Sequence, residues 1–193
     1  MGSNDKLSTG KSLPLMESFY SLQGEGYHSG LPAYFVRLGG CDIGCHWCDV
    51  KGSWDFQKYP LIPVKNIVEK VVVNVEHVVI TGGEPLIWNM DLLTNALKSK
   101  NKKTHLETSG AYKISGIWDW FCLSPKKNKP PTEQAYTQAD ELKIIIYNKH
   151  DLEFAESCAK NVKKDCLLYL QPEWGKKEFV MSLVVKYIMQ NPK

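Results

Sequence analysis

Ala33-Tyr34-Phe35-Val36-Arg37-Leu38 runs directly into Gly39-Gly40-Cys41-Asp42-Ile43-Gly44-Cys45-His46-Trp47-Cys48, and this junction decides the fold. The first six residues are mostly apolar, with aromatic and β-branched side chains, and read as a strand. The glycine pair ends it, and three cysteines at C-x-x-x-C-x-x-C spacing follow at its carboxyl end. In parallel sheets that end is where ligands bind.

Three thiolates this close together can ligate three irons of a 4Fe–4S cluster, whose usual complement is four cysteines. A missing fourth ligand leaves one iron open, as a catalytic metal site keeps a position free. The competing reading is zinc, with His46 as a further ligand. Zinc sites usually show two separated ligand pairs. Here Cys122, Cys158 and Cys166 are isolated, each in or beside an apolar segment. A disulfide framework does not suit a chain of this length without a secretory signal.

Working outward, strands are expected at Leu15–Leu22, Ala33–Leu38, His77–Thr81, Thr104–Glu107, Trp118–Leu123, Leu142–Ile146 and Leu167–Gln171. Amphipathic stretches at Val64–Val73, Met90–Lys100, Asp151–Lys160 and Lys176–Gln190 separate several of them. This alternation specifies an α/β protein with a mostly parallel sheet. Runs such as Val78-Val79-Ile80 and Ile144-Ile145-Ile146 fit strands covered on both faces. Residues 125–135, with Pro130-Pro131, read as a loop and the most mobile insertion. The polar start reads as a tail over residues 1–12 ahead of a single domain over 13–193.

The 193 residues carry a formal charge of +3, which does not argue for nucleic-acid binding. No apolar run is long enough to span a bilayer. Free thiols and an oxygen-sensitive cluster suit the reducing cytoplasm. Among 24 basic side chains, Arg37 is the single arginine. A guanidinium fork clamps a carboxylate as a lysine point charge does not.

Each expected strand end carries unusual residues. Leu22 leads to Gln23-Gly24-Glu25-Gly26, Leu38 to the cysteine loop, and Ile80 to Thr81-Gly82-Gly83-Glu84-Pro85. Leu106 leads to Glu107-Thr108-Ser109-Gly110, Leu123 to Ser124-Pro125-Lys126, and Leu170 to Gln171-Pro172-Glu173-Trp174. The glycines allow close backbone approach to a ligand or a tight turn. Thr108 and Ser109 suit ribose hydroxyls or a helix cap. Gln23 would read a heterocycle edge or sit in a plain turn. Together they form one rim.

In this order the segments resemble the radical SAM superfamily and, within it, the 7-carboxy-7-deazaguanine synthases. The likeness runs from Glu17 to about Lys176 and includes Phe35-Val36-Arg37 and Glu141-Leu142-Lys143. It implies an incomplete parallel (β/α) barrel of about six strands with few outer helices, paired as a homodimer. It implies a lyase converting 6-carboxy-5,6,7,8-tetrahydropterin to 7-carboxy-7-deazaguanine with loss of ammonia, toward queuosine and related deazapurines. Cys41, Cys45 and Cys48 would hold one 4Fe–4S cluster. Trp47, Cys48, Asp49, Gly83, Ser124, Pro125 and Lys126 would line S-adenosylmethionine, with Gln171, Pro172, Glu173 and Trp174. Leu22, Gln23, Gly24 and Thr81 would touch the pterin, and Arg37 would clamp its carboxylate. A flavodoxin- or ferredoxin-type protein would supply electrons, with no nucleic-acid or membrane partner.

Two departures from the family pattern stand out. Val50 occupies a position that in the family often carries a hydroxyl ligand for Mg²⁺, so the expectation is either Mg²⁺ bound without that ligand or Lys51 or Arg37 carrying the charge instead. The family also continues past the last helix with a segment that reaches the substrate. Here Asn191-Pro192-Lys193 ends the chain, so the expectation is a missing segment or a pocket closed in another way.

Overall fold

The computed structural model describes residues 9–71 and 74–192. Most of the expected tail lies outside them, and its last residue, Ser12, already belongs to the first strand. The strands are β1 (Ser12–Leu22), β2 (Pro32–Leu38), β3 (Leu61–Pro63), β4 (His77–Gly82), β5 (Lys103–Thr108), β6 (Trp120–Leu123), β7 (Glu141–Ile146) and β8 (Leu167–Pro172). They form one sheet in the order β3-β1-β2-β4-β5-β6-β7-β8. Six of them, from β2 through β4 to β8, run parallel. This is the expected α/β architecture of about six parallel strands. β1 is antiparallel to both β2 and β3 and widens the sheet at one edge.

Five helices are described: α1 (Val64–Lys70), α2 (Asp91–Lys98), α3 (Glu133–Gln138), α4 (His150–Ala159) and α5 (Lys177–Gln190). Helices α2 to α5 each pack on one strand, on β5, β6, β7 and β8 respectively, and α1 packs on α2. Side chains of a strand alternate between its faces, and here the two faces differ in kind. Outward, Val36, Leu38, Val78, Ile80, Leu106, Leu123, Leu142 and Ile144 form one core with helix residues Ile67, Leu93, Leu97 and Leu152. Inward, the apolar cluster is only Ala33, Phe35 and Val79. Other inner positions of β5 to β7 include His105, Glu107, Trp120, Cys122, Glu141, Lys143 and Ile145. The apolar runs are therefore covered on both faces, but only the outer cover is an apolar core.

Two elements were not expected. β3 is three residues long, ends at Pro63 and shows no period. α3 falls in the segment read as a mobile loop. Thr132 caps it by accepting from the Ala135 N–H at 3.2 Å, and Ala135 is fully buried. The capping residue follows Pro130-Pro131, a position where helices commonly begin.

Candidate active site

The cysteine loop is held from three sides. Its backbone bonds the Lys51–Trp54 turn, from Gly40 N to the Ser53 carbonyl at 2.6 Å and from Cys41 N to the Trp54 carbonyl at 3.1 Å. The end of β4 packs behind it, with Glu84 N donating to the Gly40 carbonyl at 2.8 Å. A Cβ on Gly83 would stand 2.4 Å from the Gly40 carbonyl oxygen and 2.7 Å from the Cys41 Cβ. What approaches Gly83 closely is therefore the cysteine loop.

On the third side, part of the segment read as a mobile loop is a strap. Asn128 Nδ2 donates to the carbonyls of Ile43 at 3.3 Å and Gly44 at 3.1 Å. Lys129 donates to Asp42 at 2.8 Å and to the Tyr112 hydroxyl at 2.6 Å. Lys127 pairs with Asp151 at 2.5 Å, at the start of α4.

Glu84 is 1% exposed. It accepts from Leu86 N at 3.0 Å, Thr108 Oγ1 at 2.5 Å, Ser109 N at 2.8 Å and Ser109 Oγ at 2.5 Å. The two hydroxyls assigned to a ribose thus already donate to a buried carboxylate that ties β4 to β5. Sequence reading missed this role. Its only signal was a glutamate following two glycines.

β1 also differs from the sequence expectation. Because β1 is antiparallel to β2, its carboxyl end lies at the opposite end of the sheet from the cysteine loop. Gln23 to Gly26 therefore join the site by a different route: the β1–β2 loop folds across the open side of the barrel. Gln23 Nε2 donates to Glu107 at 2.8 Å on β5, and Glu25 accepts from Lys143 at 2.5 Å on β7 and from Gln171 at 2.8 Å on β8. Tyr27 N donates to Glu141 at 3.0 Å. At Gly26, with φ +66°, a Cβ would collide with the Glu141 carboxylate, so only glycine lets the loop in.

These elements enclose a cavity of about 480 Å³. Cys41, Cys45 and Cys48 line it, with Leu22, Gln23, Gly24, Arg37, Thr81, Trp47, Asp49 and Gly83. Ser124, Lys126, Gln171, Pro172, Glu173 and Trp174 also line it. Pro125 does not, and neither does Lys51. Glu25, Glu107, Lys143 and Ser53 line it without having been assigned a site role. His46 turns away from the cavity, its ring edge-on to Tyr147 at 4.9 Å.

The three site thiols are free. Burial pushes the Cys41 thiol up, and the nearby Glu84, Cys45 and Cys48 add to the shift. Burial raises Cys45 too, while Lys126 opposes the shift. Such thiols favour a cation that takes the proton's place. Among the described residues no group of three His, Cys, Asp or Glu side chains is placed to hold a single bare ion.

Lys126 is half-buried; desolvation lowers its pKa against the pull of Cys45, and it donates to the Ser124 hydroxyl at 2.6 Å. Arg37 Nε donates to Glu17 at 2.7 Å across the β1–β2 pair. Its terminal nitrogens bond no other described side chain.

Residues 35–113 match the model of the radical SAM superfamily. The chain is 57% identical over 184 residues to the 7-carboxy-7-deazaguanine synthase of Flavobacterium psychrophilum, covering 95% of this chain and 88% of that protein. The chain belongs to the 7-carboxy-7-deazaguanine synthase family. The family's protein from Synechocystis sp. is 44% identical, over 92% of this chain and 86% of its own. The crystal structure of QueE from Escherichia coli superposes with a TM-score of 0.82 at 28% identity, covering 98% of this chain and 95% of that one. Membership implies a 4Fe–4S cluster and S-adenosylmethionine. No helix among the described residues is long and apolar enough to cross a membrane.

Proposed function

We propose that this chain converts 6-carboxy-5,6,7,8-tetrahydropterin to 7-carboxy-7-deazaguanine with release of ammonia, in queuosine and related deazapurine biosynthesis. The observation that carries the reading is the single cavity bordered by three free cysteines and by the one arginine. Cys41, Cys45 and Cys48 would hold the cluster. When bound, the cluster and S-adenosylmethionine supply the radical chemistry that begins the rearrangement.

The chain's own groups bind, orient and shield. Trp47, Asp49, Gly83, Ser124, Lys126 and Gln171 to Trp174 would surround S-adenosylmethionine, and Pro125 would shape that loop from behind. Leu22, Gln23, Gly24 and Thr81 would touch the pterin. Arg37, steadied by Glu17 through Nε, would offer its two terminal nitrogens as a fork to the substrate carboxylate. The opposite wall bears Glu25 and Glu107, acceptors suited to the amino and ring N–H donors of the pterin.

Val50 has no oxygen donor for a hard cation. Ser53, the nearest following hydroxyl, donates to the Val50 carbonyl at 2.7 Å. These residues do not fit Mg²⁺, and the carboxylate is assigned to Arg37 without it.

A flavodoxin- or ferredoxin-type carrier and a cytoplasmic setting belong to the proposal. So does a homodimer, supported by the exposed apolar side of α5 at Met181, Val185, Ile188 and Met189. The test is anaerobic: reconstituted protein, dithionite, S-adenosylmethionine and the pterin, with products followed by mass spectrometry with and without Mg²⁺. The expected result is 7-carboxy-7-deazaguanine with little net 5′-deoxyadenosine, at a rate indifferent to Mg²⁺. No deazaguanine from protein carrying a full cluster overturns the reading.

A further inference from the structure

Lys143 stands on the inner face of β7 with its side chain only 7% exposed, a costly place for an ammonium unless it is paired. Its Nζ donates to Glu25 Oε2 at 2.5 Å and lies 3.8 Å from Glu107 Oε2. Burial works against its charge, but Glu107 and Glu25 outweigh burial and hold its pKa well above the usual lysine range. In return, Lys143 and Gln171 hold Glu25 below the usual carboxylate range against its own burial. The other ionisable groups facing this set are His28 in the β1–β2 loop, His105 on β5, Cys122 on β6, Glu141 on β7 and Lys126 after β6. One cation thus stands between two carboxylates in the cavity wall.

Only the ammonium is deeply buried, Glu25 being 45% exposed and Glu107 24%. An ion network of this kind is weak evidence for stability, since well-packed apolar side chains commonly do as well. Stability alone therefore leaves this arrangement unexplained. What it does supply is two acceptors fixed in place, each tied on one side to a side chain that also lines the cavity. Glu107 receives Gln23, and Glu25 receives Gln171.

We propose that Lys143 is a positioning residue of the substrate site, holding Glu25 and Glu107 as a paired acceptor wall for the donor-rich edge of the bound heterocycle. This rests on the reading of the cavity as a pterin site. Without the ammonium the two carboxylates repel, and one takes up a proton near neutral pH. A protonated carboxyl then presents a donor where the substrate needs an acceptor.

The test compares the reconstituted wild type with Lys143→Met and Lys143→Arg. In Lys143→Met, KM for the pterin is expected to rise by about tenfold or more at neutral pH, the loss of a bond to a charged acceptor. Its kcat/KM should also gain a limb that falls as pH drops from about 8.5 to about 6.5, absent from the wild type. Lys143→Arg should restore the flat profile. Iron content and affinity for S-adenosylmethionine should not change.

A second readout needs no turnover. Infrared spectra of the substrate-free holoprotein should show a protonated-carboxyl band at neutral pH in Lys143→Met and none in the wild type. If the wild type fails to convert the pterin, the functional reading fails, and the infrared band still decides the role of Lys143. Should Lys143→Met not fold, Lys143→Gln keeps a donor to Glu25 and is expected to show the same limb and band. A pH-flat kcat/KM together with no carboxyl band in the folded variant overturns the proposal.

Discussion

Arg37 keeps its charge but loses its fork when replaced by lysine. The guanidinium can hold Glu17 through Nε and still present two parallel N–H groups to a carboxylate. An ammonium at the end of a flexible stem cannot do both in fixed geometry. Arg37→Lys is expected to raise KM for the pterin by about tenfold and change kcat less, a loss of binding shared by ground and transition states. Steady-state kinetics at constant iron loading checks this. Glu84 behaves differently, because its partners are all internal. Glu84→Ala strands four donors in a closed space and should cost about 3–5 kcal/mol, read by urea denaturation. The lone arginine was legible in the sequence because it is a compositional outlier. The bonds from Thr108 and Ser109 to Glu84 were not, since they join residues 24 and 25 positions apart and no local spacing encodes them.

The same contrast holds for elements. The parallel strands and the larger helices could be read from runs and periods, because each strand buries an alternating apolar set against helices. The strap after β6 and the direction of β1 could not. Lysines and an asparagine in a Pro-flanked stretch look solvated until the elements they brace are known, and strand direction leaves no mark in composition. The strap's importance can be measured without disturbing the core. Asn128→Ala frees the carbonyls of Ile43 and Gly44 and should shorten cluster retention under chelator several-fold while leaving the thermal midpoint nearly unchanged. Gly83→Ala acts on the other side of the same loop. Its Cβ would meet backbone, which has no easy relaxation, so the variant should fold yet bind well under half the iron of the wild type. Iron and sulfide assay after reconstitution gives the answer.

Across the whole molecule, the sheet divides its labour by face: the outer face holds the protein together, and the inner face is given over to charge, imidazole and the cavity. Below the carboxylate wall, at the other end of the barrel, His105 is 5% exposed, with His77 at 2.8 Å and His28 with its ring 4.7 Å away. Burial, with His28 and His77 beside it, lowers the His105 pKa to about 3. Burial lowers His77 and His28 as well. His105 is therefore neutral in the folded protein at mildly acidic pH and takes up a proton on unfolding once pH falls below about 6.5. The lowered His77 and His28 act in the same direction. The unfolded state then binds more protons, so stability is full above that pH and declines as pH falls toward the folded-state value. Between about pH 6.5 and 5 carboxylates contribute little, and His105 alone should remove up to about 1.4 kcal/mol per pH unit. Denaturant titrations across that window should show this slope in the wild type and a shallower one in His105→Gln. An equal slope in both would place the acid sensitivity elsewhere.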